Sequence, residues 1–305
     1  MRILEAIEAV AAEYRRLMAT KRAENGSATL VLETLASIVR ERGGAEAQEL
    51  CASIRNRLLP TDPLKLEWNV FRLFNLEYNE PRWTQWLANL LRVDSGGTCA
   101  RIAWKAFGAA VANSLEARGA TAQDGMELAT AADWRGAADQ EPNVESEVYE
   151  HGLGRVDMVI EAGPLLAIVE NKIREGWHDR EGAPPQHECY RRFLRRRMAQ
   201  RSPNDKGSLI VLGWREDFGE QVPGDYVFVT WRNLAQWLRV ELRAEDISLT
   251  AIRSLELYPL FLTLVSLEQD LFGFPCLAET KHFGWRDLPV LQGVLDYLAE
   301  VEHAS

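Results

Sequence analysis

The fold is decided by residues 145–172, which read ESEVYEHGLGRVDMVIEAGPLLAIVENK. This stretch predicts three consecutive strands, at residues 144–150, 155–161 and 165–173. Glycines mark the turn between the first two strands, and an Ala-Gly-Pro run marks the turn between the second and the third. The second and third strands are apolar runs of the length expected for buried strands.

Charged residues stand inside these apolar runs or at their ends. Asp157 lies in the second strand, and Glu170 and Lys172 lie at the end of the third. Such charges are costly to bury unless they pair or bind a metal ion. Because strand side chains alternate between faces, Glu170 and Lys172 point the same way. If the second and third strands pair through their short turn, Asp157 lies near Glu170.

Carboxylates and a lysine that converge at a sheet edge suit the hydrolysis of phosphodiester bonds with a divalent metal ion. Carboxylates supply the hard oxygen ligands that Mg²⁺ prefers. The metal ion polarises the phosphate and lowers the pKa of a bound water. An ammonium group orients that water or stabilises the charge that develops at phosphorus. The pattern therefore predicts a metal-dependent hydrolase.

The motif Gly154-Arg155-Val156-Asp157, followed after twelve residues by Glu170-Asn171-Lys172, resembles the core of the PD-(D/E)XK nuclease superfamily. The local form is similar to a bacterial branch with the pattern E…GR(I/V)D…(I/V)ENKI. The resemblance covers roughly residues 75–230, and it departs from the motif in that no proline precedes Asp157.

Four further residues match elements of that branch. Glu147 stands ten residues before Asp157, at the position of a strand glutamate. Gln186 and Tyr190 are similar to a QLxxY element on the helix after the third strand. Glu80 begins a stretch that resembles the motif of the first helix. An alternative for Glu80 is an ordinary first-turn glutamate, which the helix dipole favours.

The resemblance implies an α/β fold with a restriction-endonuclease-like core, in which helices flank a mixed central sheet of about four to five strands. It implies a catalytic set of five residues: Asp157, Glu170, Lys172, Glu147 and Glu80. It also implies that Mg²⁺ or Mn²⁺ binds to Asp157, Glu170, Glu147 and the main-chain carbonyl of Asn171. In this scheme Lys172 holds the attacking water, and Gln186 and Tyr190 brace the lysine or a phosphate.

A basic patch follows the three strands. Residues 184–206 carry seven cations and two acids, and a helix is predicted at about 185–200. Its periodicity directs Gln186 and Tyr190 towards the sheet. Four arginines are expected to face elsewhere and to contact phosphates along a nucleic acid: Arg191, Arg192, Arg195 and Arg196. The alternative is a solvated face that balances acidic neighbours.

The predicted core, residues 63–243, is flanked by helical segments. Residues 1–62 are expected to form an N-terminal extension, with helices at 3–22, 28–42 and 45–58 and a break at Gly43-Gly44. Residues 244–305 are expected to form helices that pack on the core, including a long apolar helix or a pair of helices at 246–272, bent near Pro259. Residues 119–142 lack periodicity and are expected to be a surface loop.

The formal net charge of −10 weakens the attraction of the whole chain for nucleic acid, so any contact must use a local basic patch or a partner. DNA is the favoured substrate, and prokaryotic defence or DNA processing is the context that the resemblance suggests. The alternative is a catalytically silent nuclease fold that serves as a binding or scaffold subunit. A third possibility is a nuclease directed at RNA or triggered by a nucleotide.

The composition bounds the compartment and the partners. Four cysteines are widely scattered, with neither the spacing of a zinc site nor that of a disulfide framework, which predicts a reducing, cytoplasmic environment. The longest apolar run is too short to span a bilayer, so no membrane partner is expected. The flanking helices are compatible with a homodimer or with a partner protein.

Overall fold

The computed structural model describes residues 25–59, 62–66, 79–118, 127–173, 185–214, 216–244 and 257–304. The helix expected at 3–22 lies outside the described residues. The apolar sequence of residues 64–76 also predicts a helix, but most of that segment lies outside the described residues, and a short 3₁₀ turn occupies Pro63–Lys65. No helix among the described residues is long and apolar enough to cross a membrane.

Five strands form one mixed, open sheet. They are β1 (Asn143–Glu150), β2 (Gly154–Ala162), β3 (Leu165–Lys172), β4 (Lys206–Gly213) and β5 (Tyr226–Thr230). The strand order is β1-β2-β3-β4-β5. The first three strands pair antiparallel, and β3, β4 and β5 pair parallel. The predicted α/β class is confirmed, and β1, β2 and β3 each match the strands predicted at 144–150, 155–161 and 165–173 to within one residue at either end.

Eight α-helices are described along the chain. They are α1 (Asn25–Arg57), α2 (Glu80–Leu91), α3 (Val93–Arg118), α4 (Ala131–Ala137), α5 (Gln186–Met198), α6 (Trp231–Ala244), α7 (Tyr258–Val265) and α8 (Leu288–Ala304). Short 3₁₀ turns occupy Glu216–Gln221 and Trp285–Asp287, and a π-helical turn occupies Ser266–Leu271.

Helices cover both faces of the sheet, and the strand alternation decides which side chains meet which helix. On one face Met158, Ile160 and Val169 pack with α2, α3 and α6. On the other face Leu166 and Ile168 pack with α5. Consecutive residues of β3 therefore enter different cores, and the whole strand is buried.

The break expected at Gly43-Gly44 is wrong, since α1 continues through both glycines. A glycine inside a helix costs only about 0.5–1 kcal/mol, which packing can offset. A Cβ added at Gly43 would lie 2.6 Å from the Cβ of Trp285, so the glycine lets the tryptophan approach the helix backbone. Gly43, which suggested a break in the helix, is instead the residue that makes room for Trp285.

One further expectation is corrected. Residues 119–142 are not all loop, because α4 lies within them: Thr130 and Asp133 form a capping box, and Trp134 packs against Trp104 and Phe107. A helix of its own, α7, begins at Tyr258, and Pro259 lies in its first turn, where no N–H is needed. Residues 245–256, the first part of the expected long helix, lie outside the described residues.

The chain divides into two compact units, Met1–Glu67 with Phe274–Asp296, and Trp68–Gly273 with Tyr297–Ser305. Within the first unit, Arg55 donates hydrogen bonds to the main-chain carbonyls of Leu277 at 2.8 Å and Lys281 at 2.9 Å. The second unit contains the sheet. The domain boundaries expected at residues 62 and 243 stay predictions.

A buried ion pair stabilises the second unit. The Arg239 guanidinium of α6 binds both carboxylate oxygens of Glu268, one of them at 2.7 Å, and both side chains are buried. The Tyr297 hydroxyl donates to Glu268 at 2.9 Å. Burial and the charge of Glu268 raise the pKa of Tyr297 well above its ordinary value. The tyrosine therefore stays a hydrogen-bond donor to this carboxylate.

Removing the negative charge of Glu268 should destabilise the native state. Glu268→Gln removes the charge of the carboxylate that binds the buried Arg239 guanidinium in two places, and we expect it to lower the free energy of unfolding by about 3–5 kcal/mol. The matched control is Glu300→Gln. Glu300 is an exposed acid that pairs with Arg232, and Arg232 lies on the same helix as Arg239. The control should cost about 1 kcal/mol or less. Equal losses in the two variants, measured by urea denaturation, would contradict this account of Glu268.

Candidate active site

The site forms where β2 and β3 separate. Their ladder runs from Ala162 and Leu165 to Met158 and Val169, and it stops before Asp157 and Glu170. There the Asn171 N–H donates to Asp157 Oδ2 at 3.0 Å. Meanwhile β3 continues to pair with β4 as far as Lys172. The two carboxylates therefore stand at an opening of the sheet beside the carboxyl end of β3.

Glu170 and Lys172 point towards α5, as their spacing predicts. Lys172 Nζ lies 2.5 Å from Glu170 Oε1. Gln186 Nε2 donates to the same oxygen at 2.7 Å, and the Tyr190 hydroxyl donates to Glu170 Oε2. The first two turns of α5 thus supply two donors to one carboxylate. The structure brings together Glu170, Lys172, Gln186 and Tyr190.

Burial and like charge dominate the electrostatics of the carboxylate pair. Glu170 is 1% exposed, and its burial together with the charge of Asp157 raises its pKa to about 8, although Lys172 opposes the shift. Burial also raises the pKa of Asp157, against the hydrogen bond from Asn171 and the charge of Lys172. The two carboxyl groups lie close enough for the charge of Asp157 to act on Glu170. Near neutral pH the pair therefore retains a proton.

Asn171 points to the opposite face of the sheet and locks the end of β3 against the helices there. Its Nδ2 donates to Thr84 Oγ1 at 3.1 Å. Its Oδ1 accepts from Trp231 Nε1 at 3.2 Å. Sequence reasoning missed Thr84 and Trp231, because neither carries a motif. The alternation of β3, which sends Asn171 away from Glu170 and Lys172, was the available signal.

Glu80 binds the main chain of the site. It is the first residue of α2, whose N-cap is Asn79. Its Oε1 accepts from the Ile173 N–H at 2.7 Å. The expected extra carboxylate therefore holds the segment that follows β3.

Glu147 lies opposite Asp157 in the register of β1 and β2, but no backbone pair forms between them. Among the described residues Glu147 is the one non-glycine with a positive φ, 54°. Such a conformation is strained for a residue with a Cβ. Its carboxylate lies 3.3 Å from Arg155 Nη1.

The expectation that Arg191 faces away from the sheet is wrong. Arg191 is buried, and two of its nitrogens lie 2.5 Å from the carboxylate of Asp225, which precedes β5. A third nitrogen contacts Glu188. These acids raise the pKa of Arg191 above its ordinary value. Its guanidinium is therefore paired with acids of the protein itself.

The other three predicted arginines of α5 are exposed: Arg192, Arg195 and Arg196. Arg196 lies 2.7 Å from Glu150, at the end of β1. The exposed side of α5 therefore carries positive charge, part of which is balanced by an acid of the neighbouring strand.

The donor set fits one hard divalent cation. Mg²⁺ is usually held by one or two carboxylates and keeps several waters, and Asp157 and Glu170 form such a pair. In the described part of the chain, no three Asp, Glu, His or Cys side chains are arranged to share a metal ion. Glu80 and Glu147 thus do not complete such a group with Asp157 and Glu170.

Comparisons with protein-family models, curated proteins and solved structures give no significant match to this chain. Its function is therefore inferred from the residues of the site and from their resemblance to a known motif.

The raised pKa of Glu170 predicts a pH-dependent stability. Between its ordinary value near 4.5 and about 8, the native state keeps a proton that the unfolded chain loses. The free energy of unfolding should then fall as pH rises, by up to about 1.4 kcal/mol per pH unit. Glu170→Gln removes this dependence. In urea denaturation with a chelator present, the free energy of unfolding of the variant relative to that of the wild type should therefore increase from pH 5 to pH 8.

The exposed control Glu145→Gln, on β1, distinguishes this local effect from the general effect of removing one negative charge. A wild-type-minus-variant difference for Glu170→Gln that stays constant across these pH values would show that Glu170 is already ionised in the native state.

Proposed function

We propose that this protein is a Mg²⁺- or Mn²⁺-dependent nuclease that hydrolyses phosphodiester bonds on a restriction-endonuclease-like PD-(D/E)XK core, with DNA the favoured substrate. The observation that carries the proposal is the meeting of Asp157, Glu170 and Lys172 at the open end of the β2–β3 ladder. Two desolvated carboxylates with a lysine beside them are arranged for a cation and an anionic substrate.

Asp157 and Glu170 would hold the metal ion, and the main-chain carbonyl of Asn171 is suited to be a third ligand. The N–H and C=O of one strand residue point to the same side. Because the Asn171 N–H points at Asp157, its carbonyl is directed to the same open edge. When bound, the metal ion would polarise the phosphate and lower the pKa of a water.

The surrounding residues would orient these groups. Lys172 would position the attacking water or balance the charge on the phosphate. Gln186 and Tyr190 hold both oxygens of Glu170, which fixes the carboxylate without a cation present. Glu80 fixes the main chain beyond Lys172. Glu147 would have to leave Arg155 before it could approach a metal ion.

The exposed arginines of α5 would guide the substrate to this place. Gln186 is in the first turn of α5 and reaches the site, and Arg196 is ten positions further on. At 1.5 Å per residue, the positive strip extends about 15 Å from the site. Contacts of arginine with phosphates attract nucleic acid regardless of its sequence. This local strip would offset the net charge of −10.

The second candidate is a catalytically silent nuclease fold that binds a partner. It is favoured by the same net charge and by the closed network around Glu170, in which Lys172, Gln186 and Tyr190 already occupy the carboxylate. Such a protein would bind nucleic acid or another protein without cutting any substrate. A role in prokaryotic defence or DNA processing belongs to the first candidate and rests on the motif resemblance.

Cleavage of plasmid DNA and of DNA and RNA oligonucleotides, with Mg²⁺ or Mn²⁺, tests the proposal. We expect Glu170→Ala and Lys172→Ala to lower the rate by about 10²-fold or more, as the loss of a positioned catalytic group does. The matched control is Lys206→Ala, a lysine at the opposite end of the β3–β4 pair that binds Glu127. The control should cut at the wild-type rate.

Unchanged cleavage in both site variants would reject these assignments and point to a contaminating nuclease. Cleavage of no substrate with any divalent metal, together with retained binding, would favour the silent scaffold.

A further inference from the structure

The hairpin of β1 and β2 carries an aromatic residue and an arginine side by side on its surface. Tyr149 is 71% exposed, the highest value for a large hydrophobic residue among those that the structure describes. It lies directly opposite Arg155 in the antiparallel pair. Directly opposed residues have Cβ atoms about 4.5–5.5 Å apart on one face of the sheet. The ring and the guanidinium thus share a small exposed surface, here called the Tyr149–Arg155 patch.

The patch stands beside the carboxylates of the active site. Arg155 precedes Asp157 by two residues, a rise of about 6.6 Å along a strand. Because β2 no longer pairs with β3 beyond Met158, this end of the hairpin runs past the ladder and flanks the opening. Burial raises the pKa of Asp157 and the charge of Arg155 opposes that shift, so the two groups are within electrostatic reach.

The backbone at Glu147 explains why the patch is exposed. Val156 and Met158 are two residues apart but pack in different cores, so the strands change face near Glu147 and Asp157. This change takes Val148 and Val156 into the core under α5. Their neighbours Tyr149 and Arg155 are left on the surface. The strained backbone at Glu147 thus leaves Tyr149 and Arg155, an aromatic ring and a guanidinium that are both suited to bind a ligand, exposed beside the proposed catalytic groups.

Arg155 is able to exchange its partner. Its contact with Glu147 is 3.3 Å long, and the arginine side chain is 52% exposed. Ion pairs of this kind contribute little to stability, because water screens them. A phosphate offers the planar guanidinium a bidentate partner of higher charge.

We infer that the Tyr149–Arg155 patch binds one nucleotide of the substrate, with Tyr149 stacked on an unpaired base and Arg155 on a phosphate. Stacking on an aromatic side chain needs a base whose face is open, as in single strands, frayed ends and loops. The inference rests on the proposed nuclease function. It adds the substrate class, namely nucleic acid that is single-stranded beside the scissile bond.

Binding of labelled oligonucleotides in chelator, followed by fluorescence anisotropy, tests the patch without cleavage. The probes are a short single-stranded DNA and the duplex of the same sequence. We expect the single strand to bind more tightly, and Tyr149→Ala to weaken that binding roughly 5- to 150-fold, the effect of losing one stacked base. Tyr149→Phe keeps the ring and should bind like the wild type. The control Tyr258→Ala removes another exposed tyrosine and should change nothing.

The salt dependence isolates the arginine. Arg155→Gln should lower the slope of log affinity against log salt by about 0.7, the value for one phosphate contact on a single strand. An unchanged slope would exclude a phosphate contact by Arg155.

The outcomes separate this inference from the nuclease proposal. If Tyr149→Ala loses single-strand binding but no substrate is ever cut, the patch stands and the nuclease proposal fails. If the wild type cuts DNA but binds the duplex as tightly as the single strand, the patch is rejected. The patch is also rejected if Tyr149→Ala binds the single strand like the wild type.

Discussion

The site depends on the hydrogen bond from the Asn171 N–H to the Asp157 carboxylate. Antiparallel partners normally exchange main-chain bonds, and a buried N–H must find an acceptor. Here a side chain of β2 takes the place of its backbone. The strands can therefore separate without leaving that donor unsatisfied. The same bond fixes Asp157 beside Glu170, since it anchors the carboxylate to the residue that follows Glu170.

A side chain again replaces a backbone partner at Ile173, two residues after Asn171 and just beyond the end of β3. Glu80 accepts from the Ile173 N–H, which points to the same side as that of Asn171. Two carboxylates, one from β2 and one from α2, thus replace the partner strand over the open edge. Lys172, between them, points its carbonyl to the other side, where it accepts from the Trp214 N–H at 3.0 Å. The end of β3 is therefore hydrogen-bonded along both edges. Along one edge its partners are the side chains of Asp157 and Glu80, so no strand pairs with it there.

Much of this arrangement follows from local patterns in the sequence. Apolar runs with short turns gave the strands, and alternation placed Glu170 and Lys172 together. Arg191 could not be predicted in the same way, because its partner Asp225 lies 34 residues away and belongs to no shared pattern. Thr84 and Trp231 were missed for the same reason. Local periodicity assigns a face to a residue, whereas tertiary contacts decide what that face meets.

The acids of the site differ in what they bind, which their spacing in the sequence does not reveal. Glu80 accepts from the backbone and Glu147 from an exposed arginine, so each of these carboxylates has a partner other than Asp157 or Glu170. Burial instead raises the pKa of both Asp157 and Glu170, and the charge of Asp157 adds to the shift of Glu170, so ionising both carboxyl groups costs free energy. The placement of this pair at an opening of the sheet, where Lys172, Gln186 and Tyr190 hold Glu170, is the arrangement that the proposed metal-dependent chemistry would require.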